Sequence, residues 1–293
     1  MTDLRDDAEA IAAGLPPLLV SAERLASMVS LGVHGRRKSG MGENFWQFRR
    51  FQAEDPSTAI DWRQSAKSQH LFVREREWEA AEAVWLWRDG SAGMHFKSDY
   101  AGTTKMERAN LLTLALGTLL VRGGERIALY GDGRAPATGR KALNEIAHEL
   151  AETAPRDDAL PPDAPVSKNS SFIWFSDFLS PLGEIETTLR RLARQGLSGH
   201  LVHIIDPVEE EFPYSGRTQF ESPLGKKSDI FGRAENLQSA YRTRFRAHAQ
   251  TLRDLAQRLN WGYLAHRTDK RPETALIALF EALSDTEARM RIA

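Results

Sequence analysis

Cysteine is absent from this chain of 293 residues. Its absence excludes disulfides, thiolate zinc sites, iron–sulfur clusters and cysteine nucleophiles, because each requires sulfur. Any metal must then be held by oxygen or imidazole. Net charge is almost absent too: 39 basic side chains against 40 acidic ones leave −1 at neutral pH, so no bulk field gathers nucleic acid or an anionic membrane. A long apolar run is also missing. The longest stretch, Leu111 to Val121, is about half of the ~20 residues needed to cross a bilayer and lies between Arg108 and Arg122. Asp3, Asp6, Asp7 and Glu9 give the start of the chain the wrong charge for an export signal, and Pro16 and Pro17 interrupt its apolar stretch. Together these absences lead us to expect a cytoplasmic protein with no nucleic-acid partner and no direct membrane insertion.

Catalytic signatures are scarce. Hydrolysis needs a nucleophile, a base and an oxyanion site held together. The eight histidines are scattered, and no Gly-x-Ser-x-Gly elbow, His-Glu-x-x-His helix or Gly-Lys-Ser/Thr loop occurs. His200 and His203 flank an apolar run and read as structural. Basic and aromatic residues interleave between His34 and Arg76 in a way that could track a phosphate backbone, yet Glu43, Glu54, Asp55 and Glu75 cancel much of that field. Arg49, Asp61, Trp62 and Arg74 read instead as internal tethers, by arginine–carboxylate pairing and tryptophan burial. Arg242 and Arg246, four residues apart, share a helix face that could meet an acidic partner or simply solvent.

What is present organises the chain in three parts. Residues 1–30 read as a polar tail and a short helix around Ser21 to Ser30. Residues 31–78 are glycine-punctuated and aromatic, too broken for one helix, and read as an extended segment packed on something larger. Residues 79–285 alternate buried-strand patterns with helical ones. The strands fall at Ala83 to Trp87, Ile127 to Tyr130, Phe172 to Phe175, Leu201 to Ile205 and Gly262 to Ala265, with a further one at His70 to Arg74. The helices fall at Lys105 to Val121, Arg140 to Glu152, Pro181 to Gln195, Asn236 to Leu259 and Pro272 to Leu283. Such alternation implies crossover connections and a doubly wound, mostly parallel α/β sheet. Asp206 to Arg233 reads as a long insertion.

In that architecture ligands sit beyond the carboxyl ends of the strands. Asp89, Ser91 and Gly93 follow one strand; Ser176 and Asp177 follow another. Two carboxylates with adjacent hydroxyls form an oxygen-only set suited to Mg2+ or Mn2+, which keep several waters and need few protein ligands. In the other reading the same carboxylates cap helices or satisfy loop amides.

The run Asp89-Gly90-Ser91-Ala92-Gly93 resembles the Asp-x-Ser-x-Ser motif of von Willebrand factor type A domains, whose metal-ion-dependent adhesion site follows the first core strand. Asp177 matches that family's second carboxylate, and Thr138 is a loose counterpart of its threonine. Gly93 stands where the pattern has its second serine, so the resemblance implies a degenerate, weakly held Mg2+ or Mn2+ site.

A wider resemblance runs from about Gly32 to Leu283. Gly32-x-His34, Gly40-x-Gly42-x-x-Phe45, Arg49, Asp55, Ile60-Asp61-Trp62 and Val73-Arg74-Glu75 are similar to the segment ahead of the type A domain in bacterial proteins of the domain of unknown function 58 family. Asp206-Pro207-x-Glu209-x-x-Phe212-Pro213-Tyr214-x-Gly216 and Tyr241 to His248 also resemble that family. Its members are often encoded beside AAA+ ATPases of the MoxR type. The resemblance implies a non-enzymatic adaptor that works with such an ATPase in maturing or remodelling client proteins. The competing expectation is a magnesium-dependent hydrolase or phosphatase using Asp89 and Asp177.

Overall fold

The computed structural model describes residues 17–34, 45–51, 60–67, 70–76, 83–151, 159–167, 170–221 and 228–290. The chain divides into two units, Gly32–Ala81 and a larger one formed by Met1–Leu31 with Glu82–Ala293. Helix α1 (Pro17–His34) is longer than the expected short helix and buries Leu19, Ala22, Leu25, Ala26 and Val29, a stripe of helical spacing.

In the smaller unit, strand β1 (Phe45–Arg50), helix α2 (Trp62–Ser65) and strand β2 (Phe72–Arg76) follow. The two strands pair antiparallel, with Phe48 opposite Arg74 and Arg49 opposite Val73. The expected strand at His70 to Arg74 is therefore present but starts two residues later. Asp61 caps α2, its carboxylate accepting the Gln64 N–H at 2.9 Å. Trp62 corrects the tether expectation: its side chain is 66% exposed. His34 closes α1, and Gly42 and the side chains of Phe45, Arg49 and Arg74 lie outside the described residues.

The larger unit continues with β3 (Ala83–Arg88), α3 (Lys105–Arg122), β4 (Arg126–Leu129), α4 (Gly139–Ala151), β5 (Ser170–Ser176), α5 (Leu182–Arg194) and β6 (Leu197–Ile205). It ends with α6 (Pro207–Glu211), β7 (Thr218–Glu221), β8 (Ser228–Phe231), α7 (Gln238–Arg258), β9 (Gly262–Arg267) and α8 (Pro272–Met290). Five of these strands form one sheet in the order β4–β3–β5–β6–β9, every pair parallel. Helices cover both faces, so the central strands have no solvent side and read as unbroken apolar runs. On one face Trp85, Trp87, Phe172, Trp174 and Leu201 pack with Ile185 and Leu189 of α5 and Leu252 and Leu255 of α7. The alternate residues Leu86, Ile173, Phe175 and Val202 point the other way, toward α3.

Two departures from the sequence pattern have physical causes. Strand β6 begins at Leu197 rather than Leu201, because Ser198, Gly199 and His200 interrupt the apolar run although they pair with β5. The insertion after Asp206 holds α6 and a two-stranded antiparallel ribbon, β7 with β8, whose largely exposed residues carry no core pattern. Because all five sheet strands are parallel, Asp89, Tyr130, Asp177, Asp206 and Thr268 emerge along a single edge.

Candidate functional site

At that edge a buried cation meets buried acids. Lys105 is the first residue of α3, placed there by a reciprocal cap in which Thr104 Oγ1 accepts the Glu107 N–H and Glu107 accepts the Thr104 N–H. Its side chain is 1% exposed, and Nζ donates to Asp177 Oδ2 at 2.9 Å and to Glu209 Oε1 at 2.6 Å. A positive group in the first turn opposes the helix dipole, and full burial of lysine is rare unless it is paired. Burial disfavours the ammonium, yet the charges and hydrogen bonds of Asp177 and Glu209 outweigh it and hold the Lys105 pKa above its ordinary value.

Glu209 arrives through a second reciprocal cap. Asp206 caps α6 with Pro207 at the first turn: Asp206 Oδ1 accepts the Val208 N–H at 3.0 Å and Glu209 Oε2 accepts the Asp206 N–H at 2.8 Å. Asp206 Oδ2 takes the Ser98 N–H at 2.9 Å, tying the loop after β3 to the end of β6. Burial raises the Glu209 pKa in spite of Lys105.

Asp89, 1% exposed, accepts the Ser91 N–H at 2.7 Å and the Ser176 hydroxyl at 2.7 Å. Burial, then the charge of Asp177, raises its pKa to about 6. Asp177 Oδ1 accepts the Leu179 N–H at 3.1 Å. Each oxygen of Asp89, Asp177, Asp206 and Glu209 thus has a protein donor. The expected pair of Asp89 and Asp177 is brought together, with Ser91 beside it, but as a set already satisfied by amides, a hydroxyl and an ammonium.

The donor set therefore does not fit a divalent ion. Lys105 Nζ lies 2.9 Å from Asp177 Oδ2, and a positive neighbour on that carboxylate repels a second cation. Gly93 reinforces this: a Cβ at that position would lie 2.8 Å from Asp177 Oδ2, so a serine would displace the carboxylate from its bond to Lys105. Thr138 is corrected outright. Ala137 bridges Ile127 antiparallel, which puts Thr138 at the amino end of β4, beside the start of β3. Six residues of strand, about 20 Å, separate that end from Asp89.

A family model described as Protein of unknown function DUF58 matches residues 47–253. The chain belongs to that family. Uncharacterized proteins of Mycobacterium tuberculosis and Mycobacterium bovis are 27% identical to this DUF58 chain over 225 residues, which is 70% of it and 68% of them. Among solved structures, an aerotolerance-related membrane protein of Bacteroides fragilis aligns with a TM-score of 0.43 and 13% identity over 70% of this chain and 100% of its own. The conserved hypothetical protein BatB of Bacteroides thetaiotaomicron gives 0.42 and 11% over the same shares.

Other expected residues take structural places in the DUF58 fold. His203 lies within β6 rather than beside it; burial pushes its pKa down to about 3, and Nδ1 meets the Tyr263 hydroxyl at 2.7 Å. His200, also inside β6, is pushed down to about 4 by burial. Arg242 donates to the Glu211 carbonyl, joining α7 to α6. No described helix is long and apolar enough to cross a membrane. The residue that sequence reasoning missed is Lys105, seen there only as a helix start. Its signal was present, since a lysine directly after a Thr-x-x-Glu cap sits where the helix end favours anions. Around the cluster, Phe96, Tyr100 and Leu179 are 37%, 66% and 57% exposed, on the loops that carry the buried charges.

Proposed function

We propose that this protein is a non-enzymatic interaction protein of the cytoplasm, an adaptor that docks a MoxR-type AAA+ ATPase and acts in maturing or remodelling client proteins. The observation that carries the reading is the pairing of rigidity with exposure at the sheet's carboxyl edge. Phe96, Tyr100 and Leu179 stand in solvent on loops pinned from below by Asp89, Asp177 and Asp206. Aromatic and aliphatic side chains held on a firm base are the usual anchors of protein interfaces, because little conformational entropy is lost when they are covered. The hydrolase reading draws no support from the same edge, where the two carboxylates are spent on loop amides, Ser176 and Lys105.

The test is affinity capture of a purified MoxR-type ATPase on the immobilised protein, beside the Tyr100→Ser/Leu179→Ser variant. Retention by the wild type and a loss of at least about tenfold in the variant are expected, as for two central anchors. Failure of the wild type to retain any such ATPase would sink the proposal. So would magnesium-dependent turnover of phosphoesters that disappears in Asp89→Ala.

A further inference from the structure

The type A resemblance places a divalent ion among Asp89, Ser91 and Asp177. We infer that the Lys105 ammonium is the built-in cation of that place, so that the carboxyl-edge loops are assembled by a side chain and not by metal.

Independent features of the fold converge on this. The ammonium bonds one of the two carboxylates that the resemblance assigns to the ion, Asp177, and recruits another, Glu209, from a different loop. It joins three separate strand ends: α3 follows β3, Asp177 follows β5 and Glu209 follows β6. A resident metal ion would make just such a connection. The placement is also locally unfavourable. A lysine in the first turn of an eighteen-residue helix, buried, loses both dipole energy and hydration, and it is tolerated because the two carboxylates return more than that.

Gly93 completes the exchange. Where the type A pattern has a hydroxyl ligand, this chain has no side chain, and the space is filled by Asp177 Oδ2 turned to Lys105. The absent side chain at Gly93 and the buried lysine fit together: without a Cβ there, Asp177 Oδ2 has room for the position in which it bonds Lys105. With the docking role proposed above, on which this consequence rests, contact at this face is independent of divalent ions and survives chelation.

The test needs no partner. Calorimetry of the purified full chain with Mn2+ as the probe is expected to show no binding up to millimolar ion, and chelator is expected to leave the melting temperature unchanged. The Lys105→Ala/Gly93→Ser variant vacates the ammonium's place and restores the hydroxyl. It is expected to bind one Mn2+ per chain at least roughly tenfold more tightly than the wild type, as an oxygen-ligand site with open positions should. Adding Asp177→Asn in that background is expected to abolish the gain. Stoichiometric Mn2+ binding by the wild type that Asp177→Asn removes would overturn the inference, as would a folded double variant that binds no better than the wild type. A measurement on the wild type alone covers the case of a variant that does not fold. Acetylation of the native protein, followed by mass spectrometry, is expected to label exposed Lys141 and spare Lys105, which is 1% exposed. Equal labelling of the two lysines would refute a buried, paired ammonium.

Discussion

The neighbouring glutamates of α6 take opposite fates. Glu209 turns inward and meets Lys105, whereas Glu210 and Glu211 turn outward and meet Arg267 at 2.9 and 2.7 Å, together with Asp269. Both clusters set cations against several carboxylates at the carboxyl edge of the same sheet. Lys105 serves the inner one and Arg267 the outer one, where Lys270 also lies 3.4 Å from Asp269, and the Lys105 and Arg267 pairs have similar distances. Their energetics differ because of water. The outer cluster is hydrated and screened by salt, so its pairs contribute little each. The inner cluster has little solvent to fall back on, with Lys105 1% and Glu209 16% exposed, so loss of one partner strands a largely buried charge. Distance alone therefore says little about an ion pair's weight; burial decides it.

Replacing the inner cation breaks this comparison most severely. Lys105→Met keeps the length of the side chain and removes the charge, leaving Asp177 and Glu209 facing each other. Denaturant unfolding should show a loss of about 3–5 kcal/mol. Gly93→Ser comes next, because its Cβ pushes on Asp177 Oδ2 in a crowded place; about 1–3 kcal/mol is expected from the same experiment.

Asp89→Asn has a smaller effect and the opposite sign. The native carboxyl holds its proton to about pH 6, while the unfolded chain releases it near 3.8. The folded state thus binds more protons across that window, and wild-type stability falls as pH rises through it. The asparagine carbonyl still accepts the Ser91 N–H, while its amide must donate to the Ser176 hydroxyl instead of accepting from it, which offsets part of the gain from removing the charge. The substitution should flatten that part of the pH profile and stabilise the protein at pH 7 by about 1 kcal/mol, read from unfolding curves at pH 4, 5, 6 and 7. The least effect belongs to the outer cluster: Arg267→Ala should cost no more than about 1 kcal/mol, and added salt should shrink the difference. An outer substitution as damaging as Lys105→Met would mean that burial is not what separates the two clusters.

Much of this was legible residue by residue. The apolar runs from Ala83 and Phe172 became β3 and β5, because a sheet covered on both faces imposes continuous hydrophobicity on its strands. Asp89 and Asp177 came to one edge because parallel strands bring their ends together, whereas Asp206 and Glu209 were marked only by the family resemblance, and their reciprocal cap of α6 emerged with the structure. Thr138 was misplaced because its position depends on a single bridge to Ile127 on the edge strand, a pairing that leaves no mark in composition. Lys105 was passed over because its partners lie 72 and 104 residues away along the chain.

The sequence by itself determined the periodicities and the chemical inventory: no cysteine, eight scattered histidines, and acids at strand ends. Those properties are local, set by neighbours within a few residues. Only the tertiary structure decided which cation those acids face. Ion pairing in a protein interior depends on where separate strands end and on how completely water is excluded, and neither is written in any short stretch of chain.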